Sequence, residues 1–149
     1  MSTFSPGIVS DAEFIFRRIF SPLHVDEKGT VMASAFSDVD SFGLSCDRNA
    51  SEIAHQDLHD RAIAQIEEYN RANPDKPRRD YIGAIHAKCE AIRKLCYEDS
   101  LARAFGVYDT GLAENNCHVD VFQSHHDSKA KKKLLRKKLR DCFSEKPLK

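Results

Sequence analysis

The chain has 149 residues, of which 41% are hydrophobic and 31% charged, and its formal net charge is zero. That length holds one domain with a sizeable core, and that composition excludes a disordered chain. No apolar run nears the ~20 residues that cross a bilayer, and "MSTFSPGIVSDAEFIF" lacks the basic and apolar regions of a secretory signal; no membrane partner and a cytoplasmic location are therefore expected.

The zero net charge conceals an asymmetry. Residues 1–127 carry 13 Lys and Arg against 21 Asp and Glu, whereas residues 128–149 carry 10 against 2. The sequence divides into an acidic α+β body, 1–127, and a basic amphipathic C-terminal helix and tail, 128–149, expected to pack on the same domain.

"EFIFRRIF" (13–20) predicts a first strand. "SPLHVDEKGTV" follows as a loop marked by Pro22 and Gly29, then an irregular stretch with a short strand near 42–46. "SEIAHQDLHDRAIAQIEEYNRANP" predicts a helix capped by Ser51 and ended at Asn73-Pro74. At 100° per residue, Ala54, Leu58, Ala62, Ile66 and Tyr69 share its apolar face. Residues 81–104 fit either one helix or a strand, "YIGAIHA", followed by a helix, "CEAIRKLCYEDSLARAF". The crowding of β-branched and aromatic residues at the start, and Gly83, favour strand then helix. "FGVYDTGL" reads as a strand running into a turn. "CHVDVFQS" alternates with Cys117, Val119 and Val121 on one side and His118, Asp120 and Phe122 on the other.

"DSKAKKKLLRKKLRDCF" predicts a helix capped by Asp127 or Ser128, with Ala130, Leu134, Leu135, Leu139 and Cys142 or Phe143 as its apolar stripe. The expected fold class is therefore α+β: a single small domain of about four or five short strands packed with two or three helices.

Candidate chemistry concentrates in four places. His118 and Asp120 lie roughly 6.5–7 Å apart on one strand face, so an imidazole and a carboxylate can converge on one ligand. His125 and His126 follow just past that strand, and imidazoles with carboxylates suit a borderline divalent ion, although no HExxH, paired-Cys or EF-hand pattern specifies a metal. His55 and His59 stand one helical turn apart, but His55 falls within the apolar face, which favours a core histidine over a ligand. Asp47 and Arg48 directly precede the first helix, where an N-terminus favours anions; Cys46 beside them could have a lowered pKa there. Arg48, His118 and Asp120 are the catalytic candidates.

The fourth place is the basic helix, whose Lys129, Lys131, Lys132, Lys133, Arg136, Lys137, Lys138 and Arg140 can neutralise phosphates. The run contains no aromatic residue for base stacking, so sequence-specific single-strand recognition by the helix is not indicated. Charge folded back on the acidic body is the competing reading. Cys46, Cys89, Cys96, Cys117 and Cys142 are odd in number and form no CxxC, which predicts free thiols. No family fits at the level of motifs, and no motif specifies a cofactor. Two functions are consistent with this pattern. One is a binding module that meets nucleic acid, another polyanion or a protein partner through its basic helix. The other is a small hydrolase or transferase, metal-dependent or acting on a nucleotide, with a site around His118, Asp120, Asp47 and Arg48.

Overall fold

Alternation and helical periodicity resolve into five strands and four helical segments in the computed structural model, which describes residues 7–48 and 52–149, with the backbone alone at 52–55. In order these are β1 (Phe14–Ser21), a 3-10 helix (Ala33–Asp40), β2 (Leu44–Arg48), α1 (Glu52–Ala72), β3 (Asp80–Lys88), α2 (Cys89–Arg93), β4 (Phe105–Asp109), β5 (His118–Gln123) and α3 (Lys129–Cys142). The strands form one antiparallel sheet of order β3-β1-β2-β5-β4. The chain is a single small α+β domain. Ser51 and the side chains of Ala54 and His55 lie outside the described residues.

The two sheet faces are covered differently. On the first, Ile15, Ile19, Leu44, Ile85, Val107, Val119 and Val121 pack with Phe36 of the 3-10 helix, Ile92 of α2, and Leu135 and Leu139 of α3 into one core. On the second, Phe16, Phe20, Tyr81 and Ala84 receive Leu58, Ala62 and Ile66 of α1, the face that helical spacing predicts. These contacts place α1 over β1 and β3. Beyond it, Ser45, Tyr108 and Phe122 are exposed and Asp120 is half-buried, so the β2-β5-β4 half of the second face stays open.

Three sequence expectations need correction. The helix expected over 89–105 is the five-residue α2 only. Beyond it the chain turns back at residues 97–100, Cys96 bridges to Arg103, and Ala104 N–H donates to the Leu95 carbonyl at 2.8 Å to feed the edge strand β4. The irregular stretch before β2 contains an eight-residue 3-10 helix that buries Ala35, Phe36 and Val39. In α3 the stripe is narrower than predicted: Leu135, Leu139 and then Phe143 are buried, whereas Ala130 and Leu134 are exposed. Successive residues are 100° apart around the helix, so Leu134 cannot share the Leu135–Leu139 seam. Ser128 caps α3, its hydroxyl accepting from Lys131 N–H.

Gly83 does more than weaken a helix. Its φ is +124°, and a Cβ there would lie 2.8 Å from the Leu148 backbone. That backbone pairs with Ala84 in both directions, which covers the outer edge of β3.

His24 supplies a pH dependence. Its Nδ1 accepts from Phe20 N–H at 3.0 Å, and burial, followed by the charges of Arg17 and Arg79, pulls its pKa down to about 4. Between that value and its unfolded value near 6.5, the unfolded chain binds the extra proton. Stability from this group is therefore full above about pH 6.5 and is lost as pH falls toward 4, by on the order of 2–3 kcal/mol. Urea unfolding at pH 7.5 and 5.0 should show a steeper loss in the wild type than in His24→Gln; equal slopes would refute the assignment.

Candidate functional site

α1 lies over β1 and β3, and the loops at the end of β5 rise opposite it. Between them is a cleft of about 480 Å³ whose walls include Arg18, Asp47, Arg61, Glu114, Asn115 and His118. Strand alternation fixes the first contributors. Asp47 of β2 is the direct cross-strand partner of His118 of β5, so the two side chains share a face. Arg18, on the same face of β1, donates to Asp47 through Nε at 2.9 Å and Nη2 at 3.1 Å, and through Nη1 to Gln65 of α1 at 2.8 Å. Asn115 Nδ2 donates to the same carboxylate at 2.7 Å. Asp47 is thus an acceptor for three N–H donors while only 3% of its side chain is exposed. It orders the floor of the cleft.

His118 is held differently. Its Nδ1 lies 2.8 Å from the Thr110 hydroxyl, and Nε2 has no partner among the described residues. Arg61 of α1 lines the same cleft, and its buried Nε finds no hydrogen-bond partner there. One wall therefore offers an imidazole with one nitrogen fixed and the other without a partner among the described residues, and another carries the Arg61 guanidinium.

The sequence-derived candidates separate. His118 lines the cleft. Asp120 shares its face, as the two-residue period requires, and pairs across the sheet with Ser45 and Tyr108; it does not touch the imidazole and lies outside the cleft wall. Arg48 is on the opposite face. It is the last residue of β2 rather than a helix-start residue, and its buried guanidinium binds Glu13 at 2.6 Å, the carbonyls of Gly7 and Ile8, and approaches Asp109 at 3.8 Å. Adjacent strand residues point to opposite sides, so Asp47 and Arg48 cannot serve one site. Burial raises the Glu13 carboxyl, but the Arg48 and Ser10 hydrogen bonds outweigh this and its pKa is lowered. Cys46 is fully enclosed, and burial pushes its thiol up to about 12, the reverse of an activated thiolate.

The other histidines whose side chains are described are occupied. His59 is buried with Nδ1 2.6 Å from the Tyr81 hydroxyl. His126 bonds Asp99 at 3.0 Å and stacks on Tyr97, and His125 bonds Asp127. Among the described residues, no three His, Cys, Asp or Glu side chains converge to hold a metal ion. None of the five cysteines is joined in a disulfide.

The basic helix is partly consumed within the fold. Lys131 pairs with Asp99 at 3.0 Å and Lys132 with Asp40, and Arg140 donates to the Val31, Ser144 and Glu145 carbonyls. Lys129, Lys133, Arg136, Lys137 and Lys138 have no ion pair among the described residues. α3 packs on the first sheet face, so this surface and the cleft lie on opposite sides of the sheet.

Sequence reasoning missed Arg18, Arg61, Thr110 and Asn115. The Arg17-Arg18 pair in a strand was the one available signal, since one of them had to face each side. Arg17 turns to the covered face and donates to the Ser45 and Ala35 carbonyls, and Arg18 enters the cleft. In comparisons with known proteins, the chain matches no family model, no curated protein and no solved structure.

Proposed function

We propose that the chain binds a small anionic molecule, bearing a phosphate or carboxylate, in the cleft between α1 and β5 and transfers protons there as a hydrolase or transferase. The observation that carries this reading is that His118, whose Nε2 has no partner among the described residues, and the Arg61 side chain line one cleft. Arg61 neutralises the anion. His118 takes the proton from an attacking water or hydroxyl, and the Thr110 bond fixes the ring for it. The Arg18–Asp47–Asn115 cluster positions the strand that carries His118. Convergent polar groups in a concave site are the usual setting for such chemistry.

Calorimetric titration of inorganic phosphate and acetate, followed by turnover of a phosphomonoester and a carboxylic ester, tests the reading. Arg61→Gln should weaken anion binding by roughly tenfold, because a hydrogen bond to a charged group is worth about 1.5–3 kcal/mol. His118→Gln should leave binding nearly intact and remove turnover. Absence of wild-type binding at millimolar anion would refute the reading.

A second reading is favoured by Lys129, Lys133, Arg136, Lys137 and Lys138, which have no ion pair among the described residues. A helix face carrying five unneutralised cations supports salt-sensitive binding of nucleic acid or another polyanion.

A further inference from the structure

We infer that the ligand of the cleft is a nucleotide, whose base lies on the open β2-β5-β4 half of the sheet while its phosphate sits at Arg61 and His118. The inference rests on the anion reading of the cleft and adds what the neighbouring surface recognises.

Tyr108 of β4 and Phe122 of β5 stand on that open face, 56% and 36% exposed. Their ring centroids are 5.9 Å apart with planes at 64°. The tip of each ring reaches over backbone that lacks a side chain. A Cβ at Gly106 would be 2.5 Å from the Tyr108 hydroxyl oxygen, and one at Gly43 would be 2.6 Å from Phe122 Cζ. Gly43 also has φ +86°, which a larger residue adopts only with strain. The result is an aromatic floor with an edge beside it, open to solvent. A flat apolar ligand with a π-face can stack on Tyr108 and abut Phe122.

The polar group beside this floor narrows the class. Asp120 is the cross-strand partner of Tyr108, and its carboxylate has no hydrogen-bond or ion-pair partner among the described residues. A carboxylate accepts from two adjacent N–H donors at once. Guanine presents a ring N–H next to an exocyclic amino group, whereas uracil presents one N–H flanked by two carbonyl oxygens that a carboxylate repels. The order expected from Asp120 is therefore guanine first and uracil last.

The spacing also fits. Along β5, Asp120 is one two-residue step, about 7 Å, from His118, so the two ends of one nucleotide, its phosphate and the far edge of its base, are both within reach of this strand. The cationic end and the aromatic end belong to one continuous side of the sheet, and charge complementarity places the phosphate at Arg61. Glu114 and Asp47 also line the cleft, but Asp47 is neutralised by Arg18. Phe122 and Tyr108 are exposed and Asp120 is half-buried; their replacement should leave the fold intact, which circular dichroism verifies.

The test is titration of the wild type with guanosine monophosphate, uridine monophosphate, ribose 5-phosphate and inorganic phosphate at one ionic strength. Guanosine monophosphate should bind roughly tenfold or more tighter than ribose 5-phosphate, the effect of stacking one base on an aromatic ring. Tyr108→Ala should erase that increment and leave inorganic phosphate affinity within about twofold, and Asp120→Asn should narrow the guanine preference over uracil. Equal affinity for guanosine monophosphate and ribose 5-phosphate would overturn the nucleotide inference while the anion reading stands. If none of the four binds, both fall. A short guanine-containing single strand bound far more tightly than the mononucleotide, with the same Tyr108 dependence, would overturn the free nucleotide as the ligand.

Discussion

Asp47→Ala should destabilise the protein by about 3 kcal/mol, near the lower end of the cost of breaking a buried ion pair. The carboxylate accepts two hydrogen bonds from Arg18 and one from Asn115. Its removal leaves the Asn115 amide buried without that acceptor and deprives Arg18 of its counter-charge. The loss is limited because Arg18 is 17% exposed and keeps Gln65. Arg18→Ala in the Asp47→Ala background should cost much less than Arg18→Ala alone, since each partner's loss already includes the pair. Urea denaturation of the two single variants and the double variant measures this coupling. A single-variant loss below about 1 kcal/mol would mean that solvent already satisfies the pair.

Leu135→Ala should cost about 2–5 kcal/mol, because the side chain is fully enclosed and its removal leaves a cavity in the main core. Leu134→Ala, next to it but 40% exposed, should cost less than about 1 kcal/mol. Lys133→Ala with Lys137→Ala should stay within about 0.5 kcal/mol of the wild type, as surface changes away from packing do. The lysine pair should instead weaken binding to a nonspecific oligonucleotide and reduce its log–log salt slope by about 1.4–1.8. Thermal melting and a salt series on the same three variants separate packing from charge. If Leu134→Ala melts as low as Leu135→Ala, the docking seam of α3 is misassigned; a lysine pair that leaves the salt slope unchanged would remove the polyanion reading.

Much of the fold was legible because its signals are local. The two-residue period of "HVDVF" orders Val119 and Val121 inward and His118 and Asp120 outward whatever the rest of the chain does. The spacing of Leu58, Ala62 and Ile66 buries one side of α1, and Ser128 caps the backbone of α3 where its first N–H groups need an acceptor. Charge was legible too, but only as a count. Which cations of α3 remain unpaired depends on Asp99 and Asp40, 32 and 92 residues away from their lysines.

The site was legible in part. His118 was found because a titratable ring on a half-open strand face is visible from its neighbours alone. Arg48 stands out in the sequence because it directly precedes the first helix, where an N-terminus favours anions, yet as the last residue of β2 it points to the face opposite Asp47. Asp47's actual partners lie 29 and 68 residues away, on β1 and the loop before β5. By itself, then, the sequence determined the α+β class, the alternation of β5, the polarity of α1 and the basic amphipathic end. These depend on backbone geometry over a few residues. Which face of the sheet α1 covers, which arginine of the β1 pair meets Asp47, and which half of the sheet stays open were decided by strand order and register. Those are set by burial summed over the whole domain, a quantity that no short segment carries.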